Sequence, residues 1–368
     1  MSKFVDKTDI GTLVHLILIA LIGVIAISSA TRLDYDHIWG GPGAKQLLFV
    51  MVGIVLYLLV QRLDYNYVAD WWRTLYIGGL LVLGALLISP ESIAPKIGGN
   101  KAWFKLGPLS LQPSEPMKVV TAIAVAMFLA RLSGSLDFTR LFKLGLIVGL
   151  PVVLILGEPD MGTAITFVPL ALAGAWLAGL RLRVLAVLAL LVVLMAPIGW
   201  FYVLKPYQKE RILLVFDPSR DPSGKGYQMA QSRIAVGSGG VEGKGLFHGS
   251  QAGLKFLPAR ETDFVLAVVS EETGFIGVVV TLGLYMSLVF RALDTALTSR
   301  DLLGTYLCGG IAAIWTGQVF INAGMVTGIL PTIGVPLPLL SYGGSSVVAT
   351  FLAFALVGSV RAGRIVNQ

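Results

Sequence analysis

Between Leu257 and Phe275 the chain reads LPARETDFVLAVVSEETGF, a stretch that starts like a membrane helix yet carries four carboxylates, Glu261, Asp263, Glu271 and Glu272. A carboxylate in such a place suits two kinds of chemistry: taking a proton from a hydroxyl nucleophile, or holding a cation. Asp263 falls at the boundary where a long polar segment re-enters lipid. It is a candidate general base. Its charge also suits the positive end of a helix, with Thr262 or Glu261 available as the cap. If the helix is straight, Glu271 and Glu272 lie roughly 12 Å further along it. At about 100° per residue Ser270 falls beneath Asp263 and Glu271 a quarter-turn away, so one cavity face is expected to present all three. The plainer reading of the glutamates is a pair with a cation on another helix, because a charge at membrane depth faces protein or a wet cavity.

The obvious cation belongs to GGNKAWFKLGPLSLQPSEPMKVV, Gly98 to Val120. There Glu115 and Lys118 stand three apart at a helix start, where they can neutralise each other or simply anchor the helix. Trp103 and Phe104 between Lys101 and Lys105 form an amphipathic piece suited to the headgroup interface. Asp160, in GEPDMGTA (Gly157 to Ala164), opens another helix, and Pro159 just before it favours a capping role. The stretch RIAVGSGGVEGKGLFHGSQ, Arg233 to Gln251, invites a phosphate-loop reading that fails. Lys244 is followed by Gly245 instead of Ser or Thr, and Glu242 occupies the last glycine position of a GxGxxG pattern. What remains is a glycine-rich backbone with Arg211, Arg233, Lys244 and Lys255 nearby, able to hold a diphosphate or else merely solvated. His15, His37 and His248 are scattered and Cys308 is the only cysteine, so neither an intramolecular disulfide nor a histidine- or cysteine-based metal motif is present.

These groups need a scaffold, and composition says which kind. Of 368 residues 55% are hydrophobic and 13% charged, with a mean hydropathy of +0.80. So little charge cannot cover a soluble surface. The net charge of +7 is spread in twos and threes between apolar runs, which is the pattern of topology signals and not of a nucleic-acid patch. Runs of spanning length fall near 13–30, 45–61, 74–89, 115–130, 141–157, 162–180, 183–204, 263–290, 302–321 and 344–360. The expectation is a single all-α polytopic membrane domain over residues 1–368, with about ten transmembrane helices. AISSATRL, Ala26 to Leu33, has a signal-peptidase look, but the first run is long enough to span and reads as an uncleaved helix. Connections on the side of the termini hold 13 Lys or Arg, and the short ones opposite hold five, which places both termini in the cytoplasm. Residues 205–262, with nine Lys or Arg, then form a long extracytoplasmic loop between helices 7 and 8. Loops of that length are functional or disordered. Ile321 to Val348 has no charge, three prolines and five glycines, as expected of a broken segment lining a cavity, with Ser341 and Ser345 as its candidate polar groups. No internal repeat supports an inverted-repeat transporter. Two classes survive: an enzyme acting on a lipid-linked anionic substrate, and a transporter or flippase whose acids carry coupling ions or protons.

Taken together, the motifs resemble the SEDS family (shape, elongation, division and sporulation). The resemblance rests on GGNKAWFKLG (Gly98 to Gly107), LQPSEPMK (Leu111 to Lys118), EPDMGTA (Glu158 to Ala164), FDPSRDPSGKGYQ (Phe216 to Gln228), LPARETDFVLAVVSEETGFIG (Leu257 to Gly277) and GVPLPLLSYGGSS (Gly334 to Ser346). The neutral AWF after the glycines looks more like the rod-shape, elongation branch than the division branch. Ala259 and Glu261 depart from the family's commoner residues and leave Asp263 as the matching acid. The resemblance implies peptidoglycan glycosyltransfer, the polymerisation of lipid II with release of undecaprenyl diphosphate, in the bacterial inner membrane. Asp263 is then the base, with a divalent cation, Mg or Mn, as its candidate companion. Glu115, Lys118, Asp160, Trp103 and Lys101 line the cavity, Arg211, Arg233 and Lys244 meet the diphosphate, and Glu271 and Glu272 hold the cavity's shape. A class B penicillin-binding transpeptidase is the implied partner, and lipid II flipping is the alternative activity.

Overall fold

In the computed structural model each of the ten apolar runs is largely helical, and the described residues are 8–35, 41–97, 99–107, 109–132 and 137–365. His37 and the extreme chain ends lie outside them. The helices are α1 (Ile10–Ala30), α2 (Pro42–Val60), α3 (Tyr65–Asp70), α4 (Trp72–Ile88), α5 (Ser114–Ala130), α6 (Phe138–Gly157), α7 (Met161–Ile165), α8 (Val168–Leu177) and α9 (Leu182–Ile198). They continue with α10 (Pro206–Phe216), α11 (Lys225–Ser238), α12 (Ser250–Gly253), α13 (Val265–Leu297), α14 (Leu302–Val326) and α15 (Gly344–Ile365). A small antiparallel hairpin, β1 (Phe104–Leu106) with β2 (Leu109–Leu111), precedes α5. Among the described residues six helices, α1, α2, α6, α13, α14 and α15, are long and apolar enough to cross a membrane. The other expected spans are shorter or interrupted: α4, α5 and α9 have 17 residues each, and the run 162–180 is broken after α7.

The bundle is organised around α14, which packs on α5, α8 and α13. Small residues let it do so. Gly309, Gly310 and Gly317 of α14 stand against Leu177, Leu170 and Pro169 of α8, each where a Cβ would meet the neighbour at 2.8 Å or less. In lipid, helices gain little from hydrophobicity alone, and close approach at small residues supplies the contact. α1 lies alongside α13, and α2 alongside α15.

Two departures from regular helix shape the end of the bundle covered by residues 205–262. First, α13 is not straight: Gly274 has φ 66° and ψ −165°, a conformation open essentially to glycine alone. The main-chain groups freed by the break are taken up by the glycine-rich stretch. Phe275 and Ile276 donate to the carbonyls of Gly240 and Val241 at 2.9 and 3.2 Å, and Lys244 and Gly245 donate to those of Glu271 and Glu272 at 3.0 and 2.9 Å. The glycines of SGGVEGKG therefore serve as a backbone complement to a broken helix. A Cβ on Gly243 would come within 2.2 Å of the Glu272 carbonyl oxygen, and one on Gly274 within 2.4 Å of the Gly243 nitrogen. Gly274→Ala is expected to destabilise by at least about 1–3 kcal/mol from backbone strain alone. A thermal melt of the detergent-solubilised protein checks this, and an unchanged midpoint would show that the break is not fixed by glycine.

Second, Thr327 to Gly343 is non-helical between α14 and α15, as the prolines and glycines predict. It is enclosed by protein: the carbonyl of Leu339 and Leu340 lie against Gly23 of α1, and Gln46 of α2 donates to the carbonyls of Leu339 and Ser341. Irregular backbone at this depth is tolerated only under such cover. The 205–262 segment is itself folded, built from α10, a single 3₁₀ turn at Pro218–Arg220, α11 and α12.

Candidate active site

Asp263 sits in a turn fixed almost entirely by main chain. Ala259, in the left-handed region at φ 52°, presents a carbonyl that accepts from the N–H groups of Thr262, Asp263 and Phe264 at 3.1 to 3.2 Å. From the opposite side Ser341 Oγ donates to the Thr262 carbonyl at 2.5 Å, Tyr342 N–H to that of Glu261 at 2.8 Å, and Asn322 Nδ2 to that of Asp263 at 3.0 Å. The carboxylate is left out of this scaffolding. Phe264 holds the N-cap position of α13 and no side chain caps the helix, so the capping reading of Asp263, Thr262 and Glu261 fails.

What surrounds the carboxylate comes from four other parts of the chain. Gly334 (φ 77°) packs close enough that a Cβ there would stand 3.4 Å from Asp263 Oδ2. Gly162 of α7 lies directly against the main chain of Gly334, which brings the α6–α7 turn and Asp160 to the same place. Burial raises the Asp263 carboxyl above the usual range, Asp160 and Glu261 push it further up, and Lys225 and Arg211 pull it back. Lys225 is held below the usual lysine range, first by burial and also by Arg211, while Asp263 opposes this. Lys225 stands at the first turn of α11 because Asp221 accepts from the N–H groups of Gly224 and Lys225 at 2.9 and 2.7 Å. Asp217 does the same for the preceding 3₁₀ turn. Capping by short acidic side chains thus turns FDPSRDPSGKGYQ into a mount for one lysine. Lys225 was not singled out from the sequence. The signal was there, as the lysine opening a helix after an Asp-Pro-Ser-Gly turn inside a motif already noticed.

The α5 pair is where the spacing put it. Lys118 Nζ lies 2.8 Å from Glu115 Oε1 with both side chains buried. Asp160 caps α7, accepting from Thr163 N–H at 3.0 Å and from its hydroxyl at 2.7 Å, and also receives Gln112 Nε2 at 3.2 Å. The main-chain N–H of Gln112 in turn donates to Ser345 Oγ at 2.9 Å. Burial raises the Asp160 carboxyl, Thr163 lowers it, Glu115 raises it and Lys118 lowers it. Capping and membership of the charged cluster are therefore both true of Asp160. Trp103 is half-buried beside the β-hairpin.

Other candidates go elsewhere. Lys101 Nζ donates to the carbonyls of Leu87 and Ser89 at the end of α4, a helix-end role. Arg233 donates to the carbonyls of Val215 and Gly328. Lys244 Nζ is 2.6 Å from Glu271 Oε1, and Glu271 also accepts from Ser250 and Gln251 N–H. Glu272 accepts from Ser29 and Gly249. The cation matched to the glutamates is thus Lys244 of the glycine-rich stretch and not Lys118. The expected depth is also corrected: Glu272 meets the second-last residue of α1, whereas Asp263 meets α14 about one turn inside its end. The count gives a distance along the helix and not its direction: the stretch of α13 that carries both glutamates precedes the break at Gly274 and is docked on the end of α1. Ser270 Oγ reaches only the Val236 carbonyl, at 3.4 Å, so Asp263, Ser270 and Glu271 do not share one cavity face.

A divalent ion at Asp263 does not fit the protein groups present. Among the described residues no three His, Cys, Asp or Glu side chains gather as a ligand set, and Lys225 and Arg211 face the carboxylate instead.

Residues 8–364 match the FtsW/RodA/SpoVE family, described as a cell cycle protein. The chain belongs to this family. It is 36% identical to the peptidoglycan glycosyltransferase MrdB of Escherichia coli K12, over 99% of this chain and 96% of that one. It is 37% identical to the probable peptidoglycan glycosyltransferase FtsW of Trichlorobacter lovleyi, over 87% and 83%. Its fold is similar to a chain of a structure described as a peptidoglycan synthase complex that coordinates polymerisation and crosslinking, with TM-score 0.83, 31% identity and coverage of 98% and 99%. It is also similar to the rod shape determining protein RodA of Thermus thermophilus, with TM-score 0.71, 28% identity and coverage of 98% of each chain. Family membership and the six long apolar helices make this FtsW/RodA/SpoVE chain a membrane protein. All six motifs that suggested the family from sequence lie inside the matched range.

Proposed function

We infer that the chain is a peptidoglycan glycosyltransferase that polymerises lipid II during cell-wall elongation. The observation that carries this reading is the geometry at Asp263: an uncapped, half-buried carboxylate on a main-chain mount, opposed by Lys225 and Arg211. Names of relatives spanning nearly the whole chain support the reaction class, and the likeness to a rod shape determining protein supports the elongation branch.

In the mechanism, Asp263 removes the proton from the 4-hydroxyl of an acceptor sugar as that oxygen attacks the anomeric carbon of the lipid-linked donor. The bond from that carbon to the diphosphate oxygen breaks, and the electron pair leaves with undecaprenyl diphosphate. Inversion turns an α-linked donor into a β-linked product. A raised carboxyl makes a stronger base, and a base works best with a pKa near the working pH. Lys225 and Arg211 lie where charge accumulates on the leaving group, so no general acid is required. The Glu115–Lys118 pair sets the charge next to Asp160, and Trp103 offers a surface for the polyprenyl chain.

On this reading residues 205–262 face the extracytoplasmic side, both termini are cytoplasmic and the chain crosses about ten times. The Lys and Arg asymmetry of the connections supports that orientation. A class B penicillin-binding transpeptidase is the partner.

The test is polymerisation of purified lipid II in detergent by the chain with its transpeptidase partner. Glycan strands support the enzyme; movement of lipid II across vesicles without polymer, from a folded complex, moves the assignment to a flippase. Lys225→Ala is expected to lower kcat about a hundredfold, the scale of losing one charge-stabilising donor. Because the Lys225 ammonium is held low, its share of the rate is lost as pH rises sooner than for an ordinary lysine. Lys225→Arg is expected to retain activity and carry it to higher pH.

A further inference from the structure

Among the described residues Glu158 is the one carboxyl group with both oxygens buried and without a hydrogen-bond partner. The residue is wholly buried at the C-terminal end of α6. Elsewhere the buried acids are provided for: Glu115 has Lys118, Asp160 has Thr163 and Gln112, Glu271 has Lys244, Ser250 and Gln251, and Glu272 has Ser29. A carboxylate without partners in such a place carries a large desolvation cost, and the group meets it by keeping its proton.

The charged groups around it leave it no cation. On its own turn it faces Asp160. From the hairpin segment comes Lys101, whose N–H donates to the Glu158 carbonyl while its Nζ is taken by the carbonyls of Leu87 and Ser89. From α5 come Glu115 and Lys118, which are paired with each other and act on Asp160. Lys225 and Arg211 act on Asp263, whereas Asp160 is the charge that acts on Glu158.

We propose that Glu158 is a proton-carrying positioning residue for the reaction, acting through Asp160. As a neutral acid it leaves Asp160 the only charge on the α6–α7 turn, free to cap α7 and receive Gln112. Loss of its proton sets a second negative charge against Asp160 with no cation to share. Asp160 then gives up its cap, and α7, whose Gly162 lies on Gly334 against Asp263, shifts the wall of the site. Burial, with Asp160 adding to it, pushes the Glu158 carboxyl up to about 8. The sign follows: the group is neutral and the site intact below that pH, and the support is lost as pH rises through it.

The inference rests on the glycosyltransferase reading for its rate effect, and one arm of the test is independent of it. Infrared difference spectra of the purified full chain are expected to show a protonated carboxyl band that titrates away near pH 8 and is missing from Glu158→Gln. Polymerisation is then followed across the same range in a Lys225→Arg background, which removes the lysine's own alkaline loss. Glu158→Gln, an isostere of the neutral acid, is expected to show a shallower fall in rate above that pH than the same background with Glu158. A wild-type chain without the band overturns the proposal, as does an alkaline fall that Glu158→Gln leaves unchanged. If nothing polymerises lipid II, the functional reading fails while the infrared arm still decides the state of Glu158.

Discussion

Replacing Asp263 with Asn or Ala is expected to cut polymer formation sharply while the protein still folds. The expected loss is about 10²–10⁴-fold, the range for a positioned general base. Asn is the sharper test. It keeps the size and the main-chain contacts that hold the turn, since none of the bonds from Ala259, Asn322, Ser341 or Tyr342 involves the carboxylate. Only basicity and charge are removed. The wild-type acid limb is expected at higher pH than an ordinary carboxylate would give, because burial raises this one. The base works only when deprotonated, so rate falls as pH drops through the raised value. Strands made equally well by folded Asp263→Asn and wild type would remove Asp263 from the chemistry.

Breaking the Glu115–Lys118 pair is expected to destabilise the fold strongly. Lys118→Met leaves Glu115 buried and unpaired, a situation worth about 3–5 kcal/mol of destabilisation. It also removes a positive charge acting on Asp160, so two acids face each other without relief. The double variant Glu115→Gln/Lys118→Met removes both charges together and is expected to regain most of the melting temperature, since a buried ion pair is near neutral against uncharged replacements. Activity should stay lost in the double variant if the pair sets the charge around Asp160. Equal melting temperatures for single and double variants would show that the pair is not energetically coupled.

Much of this is legible in the sequence. Apolar runs of helix-spanning length point to a helical membrane protein, because lipid leaves a backbone no partner but itself and a barrel strand needs only about half that length. Local spacing placed the Glu115–Lys118 pair and the Asp160 cap, both interactions over three residues. The prolines and glycines of 321–348 announced the non-helical stretch at 327–343. In each case the physics is contained within a few consecutive residues, and the chain's own order is enough to state it.

What only the tertiary structure decided are the pairings across long separations. That Glu271 takes Lys244 and not Lys118, and that Glu272 takes Ser29 across 243 residues, depends on how the helices pack. The break at Gly274 was hidden because a glycine inside an apolar run is compatible with helix. It becomes a break only when another segment supplies hydrogen bonds to the freed main chain, as residues 240–245 do. Lys225 was passed over for the same reason: a lysine at a helix start is ordinary until a folded segment lays it opposite Asp263. Charge type and local register are properties of the chain, whereas the partner of a buried charge is chosen by packing, since only packing decides which groups are left to share it.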